Sequence, residues 1–183
     1  MSEEVLVRHC SPTLAGLKTG SIFTYVFEDA ENLKESMRKL NRLFARKGLR
    51  VLPLRCRKNR ALVYVFRPAR LMQDLRHGVA EALLRERGYD NTLPERCVVQ
   101  LIRRLQESED FPHEIGLFLG YPPEDVHGFI ENKPNSCKLV GCWKVYGNET
   151  EARKRFSQYK KCTEVYAKQL AKGNSIERLA VAG

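Results

Sequence analysis

Residues able to do chemistry are concentrated near the start of the chain. From His9 to Ser21 the sequence reads H-C-S-P-T-L-A-G-L-K-T-G-S, which places a thiol, an imidazole, hydroxyls and a lysine close together. A cysteine just before a helix N-terminus has its thiolate favoured by the helix dipole and by a nearby cation, here Lys18 or a charged His9. The segment therefore predicts a thiolate ligand or nucleophile at Cys10, with an anion partner at Lys18. The alternative is a capped helix that buries a free cysteine. The candidate ligand-binding residues of this segment are His9, Cys10, Thr13 and Lys18.

A second candidate is the pair His113-Glu114, which stands at the start of a short predicted helix. A helix N-terminus favours a carboxylate such as Glu114, and His113 is expected to act as a ligand or base. General acid–base catalysis needs a further partner that the sequence does not place, so a purely structural role is the alternative. The leading hypothesis joins both segments in one site, which requires Cys10 and His113 to lie within about 12 Å of each other.

Two better-known sites are excluded by spacing. The stretch Gly16-Leu17-Lys18-Thr19 has one residue too many between glycine and lysine for a phosphate-binding loop, and it lacks the upstream glycine. The residue four positions after His113 is Leu117, so the second histidine of a zinc-protease helix is missing. The sequence therefore indicates neither a nucleotide triphosphatase nor a zinc protease.

The six cysteines are scattered and contain no C-x-x-C pair, which argues against a zinc ribbon and against a disulfide framework. If distant segments converge, sulfur and imidazole ligands could hold zinc or iron. Cys162 falls on an apolar helical stripe and needs no ligand role. No cofactor is assigned beyond this possibility. The candidate metal ligands are Cys10, His113, Cys142 and Cys162.

A rival hypothesis rests on charge. The chain has a net charge of +10, and residues 34–104 hold nineteen basic and six acidic residues, whereas residues 105–136 hold one basic and seven acidic residues. A basic surface suggests a polyanionic partner, either nucleic acid or an acidic protein such as a flavodoxin-like one. The rival requires the cluster to share an exposed face with Arg38, Arg42 or Arg46; otherwise it is only a solvated surface. The cluster is predicted at a hairpin tip and consists of Arg55, Arg57, Lys58 and Arg60.

The elements that must position these residues predict an α+β fold. Ser21–Phe27 is typical of a strand, and a helix with Leu33, Met37 and Leu40 on one face follows it and ends before Gly48. Two apolar runs, 49–55 and 60–66, then predict a hairpin whose first arm is an edge strand, because Pro53 has no N–H to donate. A small mixed sheet of β-α-β-β order results, with a majority of helices covering it.

The remaining chain is mainly helical. Helical periodicity runs from 69 to 132, with a capping box at Thr92 and Glu95 and a break at Gly120-Tyr121-Pro122. Leu139–Tyr146 is strand-like and is expected to return to the sheet, with Trp143 in the core. A long helix carrying Phe156, Tyr159 and Cys162 ends the fold.

The whole chain is expected to be one cytoplasmic domain. Its 183 residues lie within the single-domain range, with residues 1–68 as the β-α-β-β portion and 69–183 as the mainly helical one. The longest apolar run is too short for a membrane span, and the acidic N-terminus is unlike a signal peptide.

The chain resembles an uncharacterised bacterial family, a domain of unknown function. The resemblance is carried by H-C-S-P-T-L-A-G-L-K at 9–18, by H-E-I-G-L-F-L-G-Y-P-P-E-D-V at 113–126 with Gly128-Phe129 after it, and by G-C-W-K-V-Y at 141–146 with the aromatic helix that follows. It brings no established activity. It implies a cytosolic protein of anaerobic bacteria with a loose association to flavodoxin and iron-uptake genes, which favours a metal or redox role and draws attention to the first two segments together.

Overall fold

The computed structural model describes residues 1–90, 93–108, 110–132 and 136–183. The chain folds into two compact units, the first formed by residues 1–69 and 161–183 and the second by residues 70–160. Helices outweigh strands in the described residues, which confirms the predicted α+β class. The prediction of a single domain stays a prediction. None of the described helices has both the length and the apolar character needed to cross a membrane.

The first unit is built on a three-stranded sheet. Strands β1 (Gly20–Val26), β2 (Arg50–Arg57) and β3 (Arg60–Phe66) lie in the order β1-β3-β2. The predicted β-α-β-β order is confirmed, but the prediction of a mixed sheet is wrong. Both strand pairs are antiparallel, because β3 lies between β1 and β2 and separates the two strands that run the same way.

Strand β2 is the edge strand that Pro53 predicts. Its register against β3 shifts between Pro53 and Arg55, which leaves Leu54 as the extra residue of a bulge. Proline is tolerated there because an edge or bulge position needs no N–H for the ladder.

Helices cover one face of this sheet. The predicted helix after β1 is α2 (Ala30–Ala45). Its N-cap residue is Asp29, whose carboxylate accepts hydrogen bonds from the N–H groups of Glu31 and Asn32. It buries the predicted apolar face and is followed by Gly48 in the left-handed conformation (φ +68°). The other helices of the unit are α1 (Glu3–Leu14), the end of α8 (Glu149–Ala171) and α9 (Ile176–Leu179).

Arg67 is one of the nineteen basic residues between positions 34 and 104, but it is only 5% exposed. The guanidinium donates to the carbonyls of Thr13, Leu14 and Val181 at 2.8 Å each and to that of Lys47 at 3.2 Å. Thr13 and Leu14 belong to the last turn of α1, where the helix dipole is negative, so a buried cation is favoured at this position. Arg67 therefore joins α1, the segment after α2 and the C-terminal segment to the end of β3.

The second unit is a set of short helices. They are α3 (Pro68–Leu75), α4 (Gly78–Glu86), α5 (Pro94–Glu107), α6 (Ile115–Phe118), α7 (Pro123–Asn132) and the start of α8. The predicted break between α6 and α7 is confirmed, with Gly120 in the left-handed conformation (φ +72°). The capping box predicted before α5 depends on Thr92, which lies outside the described residues.

The predicted strand over Leu139–Tyr146 is wrong. Residues 139–140 (β4) and 144–145 (β5) pair with each other as a separate two-stranded sheet and do not join the main one. Gly141, between the two strands, lies directly on Phe156, where a Cβ atom would come within 2.1 Å of the ring, so a larger residue does not fit there. Trp143 then packs into a small core with Val145, Ala152 and Tyr159, which confirms its predicted core role.

Candidate functional site

Cys10 lies inside helix α1, so the prediction that it precedes a helix N-terminus is wrong. Helix α1 starts at Glu3, seven residues before Cys10. The Cys10 side chain faces the core of the first unit and has no exposed surface. Burial raises the pKa of the Cys10 thiol to about 12, although the charge of Lys18 lowers it slightly. A thiol in this environment stays protonated at neutral pH and is neither a nucleophile nor a ready ligand.

The burial of Cys10 predicts selective thiol chemistry. At pH 8, a thiol reagent should label the exposed Cys56 and Cys142 of the folded protein and leave Cys10 unmodified. Peptide mass spectrometry after brief alkylation measures this, with urea-unfolded protein as the control in which all six cysteines react. Rapid modification of Cys10 in the folded state would restore its predicted role as a reactive thiolate.

The other residues of the first segment do not surround an open site. His9 is exposed and stacks on Phe23 with ring centroids 5.1 Å apart; desolvation and the charge of Arg8 lower its pKa, which disfavours the imidazolium expected to activate Cys10. Thr13 is buried, and its hydroxyl lies 2.9 Å from that of Ser21. Lys18 is half-buried. The hydroxyl–hydroxyl hydrogen bond ties α1 to β1, which is a structural role.

Glu114 and His113 have separate environments. Glu114 is 3% exposed and accepts a hydrogen bond from the Tyr89 hydroxyl at 3.0 Å, while the Arg104 guanidinium lies 3.5 Å away. Arg104 also lies over the Tyr89 ring, and burial with the Glu114 charge raises the pKa of Tyr89. His113 is exposed and meets the edge of Phe129 at 4.9 Å. Glu114 is thus the centre of a satisfied buried network, as the structural alternative expects.

The candidate metal ligands are distributed over both units. Cys10 and Cys162 pack on the core of the first unit, and burial raises the pKa of Cys162; His113 and the exposed Cys142 belong to the second unit. Within the described ranges, no group of three or more His, Cys, Asp or Glu side chains is arranged to hold a metal ion. The convergence of Cys10 with His113, and a zinc or iron site built on it, stay predictions.

The basic cluster lies at the predicted hairpin tip. Arg57 is paired directly with Arg60 across the two-residue loop, and Arg55 is paired with Leu62. Their neighbour Ala61 faces the helix-covered core, and alternation along a strand therefore directs the three arginines to the opposite face. Arg38 and Arg42 lie on the outer side of α2, which covers the opposite face of the sheet. The expected extension of the basic surface to these two residues is therefore wrong, and the binding hypothesis is left with the hairpin tip by itself.

The tip concentrates positive charge at Arg57, Lys58 and Arg60. These three side chains are exposed, and none of the salt bridges among the described residues involves them. Elsewhere, exposed cations pair with carboxylates on the same helix, as in Lys34–Glu31, Arg85–Glu81 and Arg153–Glu149. The tip therefore contains two unfavourable features. Arg57 and Arg60 are directly opposed like charges, which destabilise a sheet. Lys58 has a left-handed backbone (φ +51°), which is uncommon for a residue with a side chain.

Sequence reasoning missed Asp125, a buried carboxylate at the start of α7. Its side chain is 3% exposed and accepts hydrogen bonds of 2.7 Å from the Trp143 indole N–H and from the backbone N–H groups of Tyr146 and Gly147. The signal was present, because Asp125 lies in the distinctive segment at 113–126. Helix periodicity says nothing about a polar residue with partners about twenty positions away.

The first unit is an antiparallel sheet with helices on one face and a cationic β2–β3 hairpin, and the second unit is a set of short helices. The chain is therefore an α+β protein. The chain belongs to the family described as protein of unknown function DUF3793, which matches residues 6–180. No curated protein matches the chain, and no solved structure matches it.

Proposed function

We propose that the chain is a binding module that contacts nucleic-acid phosphates through the tip of the β2–β3 hairpin. The observation that carries the proposal is the group of exposed cations at the tip: Arg57 and Arg60 lie directly opposite each other on one face, and Lys58 lies in the loop between them. The alternative of a metal or small anion held near Cys10 has less support, because the thiol is buried and its pKa is raised to about 12.

Arginine suits this task because its planar guanidinium makes paired hydrogen bonds to phosphate oxygens. Directly opposite residues of an antiparallel pair have Cβ atoms about 4.5–5.5 Å apart, so Arg57 and Arg60 present two such groups side by side. A bound phosphate backbone would also relieve the repulsion between Arg57 and Arg60.

The surroundings of the tip favour nucleic acid over an acidic protein. Stable protein interfaces are centred on buried aromatic or large apolar anchors. On this face the residues beside the arginines on β1 are Thr24 and Val26, both exposed, so β1 supplies no aromatic anchor there. Binding dominated by charge, without an apolar centre, is typical of contacts with a phosphate backbone. The sequence pI of about 9.5 agrees with it.

The test is a triple substitution, Arg57→Gln, Lys58→Gln and Arg60→Gln. We expect binding to a fluorescein-labelled oligonucleotide to weaken by about tenfold to a hundredfold, since each exposed charge pair contributes up to about 1 kcal/mol. The slope of log Kd against log salt should fall by about 2–3, because each lost phosphate contact removes about 0.9. Fluorescence anisotropy at several salt concentrations measures both quantities.

The matched control is Arg38→Gln, Lys39→Gln and Arg42→Gln on α2, which removes the same charge from exposed positions on the other side of the sheet. It should leave the salt slope nearly unchanged. Equal losses in both triple variants would show that only the net charge matters and would overturn the proposal. Tighter binding to polyglutamate than to the oligonucleotide at equal salt would instead identify an acidic protein as the partner.

A further inference from the structure

The hydrogen-bonding pattern of strand β1 leaves one side of the strand unused. Just outside its ends, the Arg67 N–H donates to the Thr19 carbonyl and the Phe27 N–H donates to the Asn59 carbonyl, at 2.9 Å each. Both bonds continue the β1–β3 register, and hydrogen-bonded pairs alternate with non-bonded pairs along an antiparallel ladder. The odd-numbered residues of β1 therefore bond to β3, and the even-numbered residues direct their N–H and C=O groups to the opposite side.

The residues Ile22, Thr24 and Val26 form the free edge of β1. No hydrogen bond among the described residues uses their N–H and C=O groups. Thr24 and Val26 are exposed and Ile22 is half-buried. The strand contains no charged residue, no proline and no bulge, although these are the features that protect an edge strand from pairing with another chain. The free edge is therefore a template for a further strand.

We infer that the free edge binds the free edge of a second copy of the chain, in an antiparallel pair centred on Thr24. A two-fold axis there places Thr24 opposite the partner's Thr24 and Ile22 opposite the partner's Val26. On the helix-covered face, Phe23 lies opposite the partner's Tyr25. Threonine, apolar and aromatic cross-strand pairs all stabilise adjacent strands, and no like charges are opposed. The strand is thus complementary to itself.

The charges beside β1 favour the same arrangement. An antiparallel pair brings the start of one strand close to the end of the other. Lys18 precedes β1 and the exposed Glu28 follows it, so each end of the pair combines a lysine of one copy with a carboxylate of the other. Residues 1–33 contain two basic and five acidic residues, so this segment lacks the positive charge by which copies of a chain of net charge +10 repel each other.

The opposite edge of the sheet limits the assembly to two copies. Pairing at β1 makes a six-stranded sheet whose two outer strands are both β2. Strand β2 carries Pro53, a bulge at Leu54 and several arginines, which together prevent further strands from adding. The interface is therefore closed and symmetric, and no fibre forms.

The test is the mass of the full chain in solution, measured by light scattering over a range of concentrations. One strand pair buries less than the roughly 1,200–2,000 Å² of a stable interface, so we expect a weak dimer whose mass rises with concentration from 21.1 kDa towards twice this value. Thr24→Lys opposes two ammonium groups, and Thr24→Glu opposes two carboxylates. Each should raise the dimer Kd by at least about tenfold, and an equimolar mixture of both variants should restore the dimer.

The matched control is Thr150→Lys, which adds the same charge at an exposed threonine of α8. Its dimer Kd should equal that of the wild type. A wild type that stays at 21.1 kDa up to about 1 mM, equal effects of Thr24→Lys and Thr150→Lys, or a mixture that stays monomeric would each overturn the inference.

Amide hydrogen exchange tests the same pairing without any substitution. In concentrated protein, the amides of Ile22, Thr24 and Val26 should exchange at least about threefold more slowly than in dilute protein, because the partner strand accepts from them. The amides of Phe23 and Tyr25, which bond to β3, serve as internal controls and should be protected at both concentrations. Exchange at the free edge that does not depend on concentration would contradict the dimer.

Discussion

Arg67→Ala is expected to destabilise the protein by about 3–5 kcal/mol, because it removes four hydrogen bonds from a buried charged donor, and a hydrogen bond to a charged group is worth about 1.5–3 kcal/mol. The carbonyls of Thr13 and Leu14 keep a second donor, the backbone N–H of Gly16 and of Val181. The carbonyls of Thr13, Leu14, Lys47 and Val181 all accept from this one guanidinium. Some of the loss is recovered if water enters the space, which keeps the total below the sum of the four. Urea unfolding followed by circular dichroism measures the change.

Two comparisons make this result specific. Arg67→Lys keeps the positive charge, but the single ammonium nitrogen of lysine cannot donate to all four carbonyls as the planar guanidinium does. The stability of this variant should therefore lie between those of the wild type and Arg67→Ala. Arg8→Ala removes an exposed arginine of α1 and should change stability by less than about 0.5 kcal/mol. If Arg67→Ala unfolds at the same urea concentration as Arg8→Ala, the assigned role of Arg67 is wrong.

Asp125→Ala is expected to cost about 2–4 kcal/mol, because hydrogen bonds to a charged acceptor are worth about 1.5–3 kcal/mol and three donors lose theirs together. The indole of Trp143 should lose its fixed orientation, and its emission should change in the folded protein. Asp125→Asn should cost less, since its carbonyl oxygen can still accept from the backbone N–H groups of Tyr146 and Gly147. Chemical unfolding combined with Trp143 fluorescence measures both effects.

The exposed Asp110 offers the control for this experiment. Asp110→Ala should leave both the unfolding midpoint and the Trp143 spectrum close to those of the wild type. An unchanged spectrum in Asp125→Ala would contradict the proposed anchoring of the indole.

Local patterns predicted the elements of the first unit well. The apolar face of α2, its end before Gly48, the hairpin and the edge strand with Pro53 all follow from side-chain periodicity or backbone restrictions that act within a few residues. The pairing of strands was harder, because only tertiary contacts place β3 between β1 and β2. The strand predicted over 139–146 was wrong for a related reason: the run pairs with itself and packs on residues further along the chain, such as Phe156 fifteen positions after Gly141, and local patterns do not contain such contacts.

The candidate site was predicted less well than the fold. Cys10 and Thr13 were chosen for their reactive groups, but helix α1 directs both into the core, and nothing in the local composition separates a buried thiol from an exposed one. Arg67 belongs to the basic block at 34–104, and composition likewise does not separate this buried cation from the exposed ones. The hairpin cations were placed correctly at the tip because charge and turn signals coincide there.

The left-handed backbone of Lys58 affects the stability of the hairpin. A non-glycine residue in the left-handed region costs about 1–2 kcal/mol, and glycine would occupy the same backbone at no steric cost. The side chain of Lys58 therefore lowers the stability of the loop, and under the proposed function its exposed ammonium group adds one cation to the binding surface. Substitution of Lys58 by glycine should therefore raise the stability of the hairpin and weaken the proposed binding of phosphates.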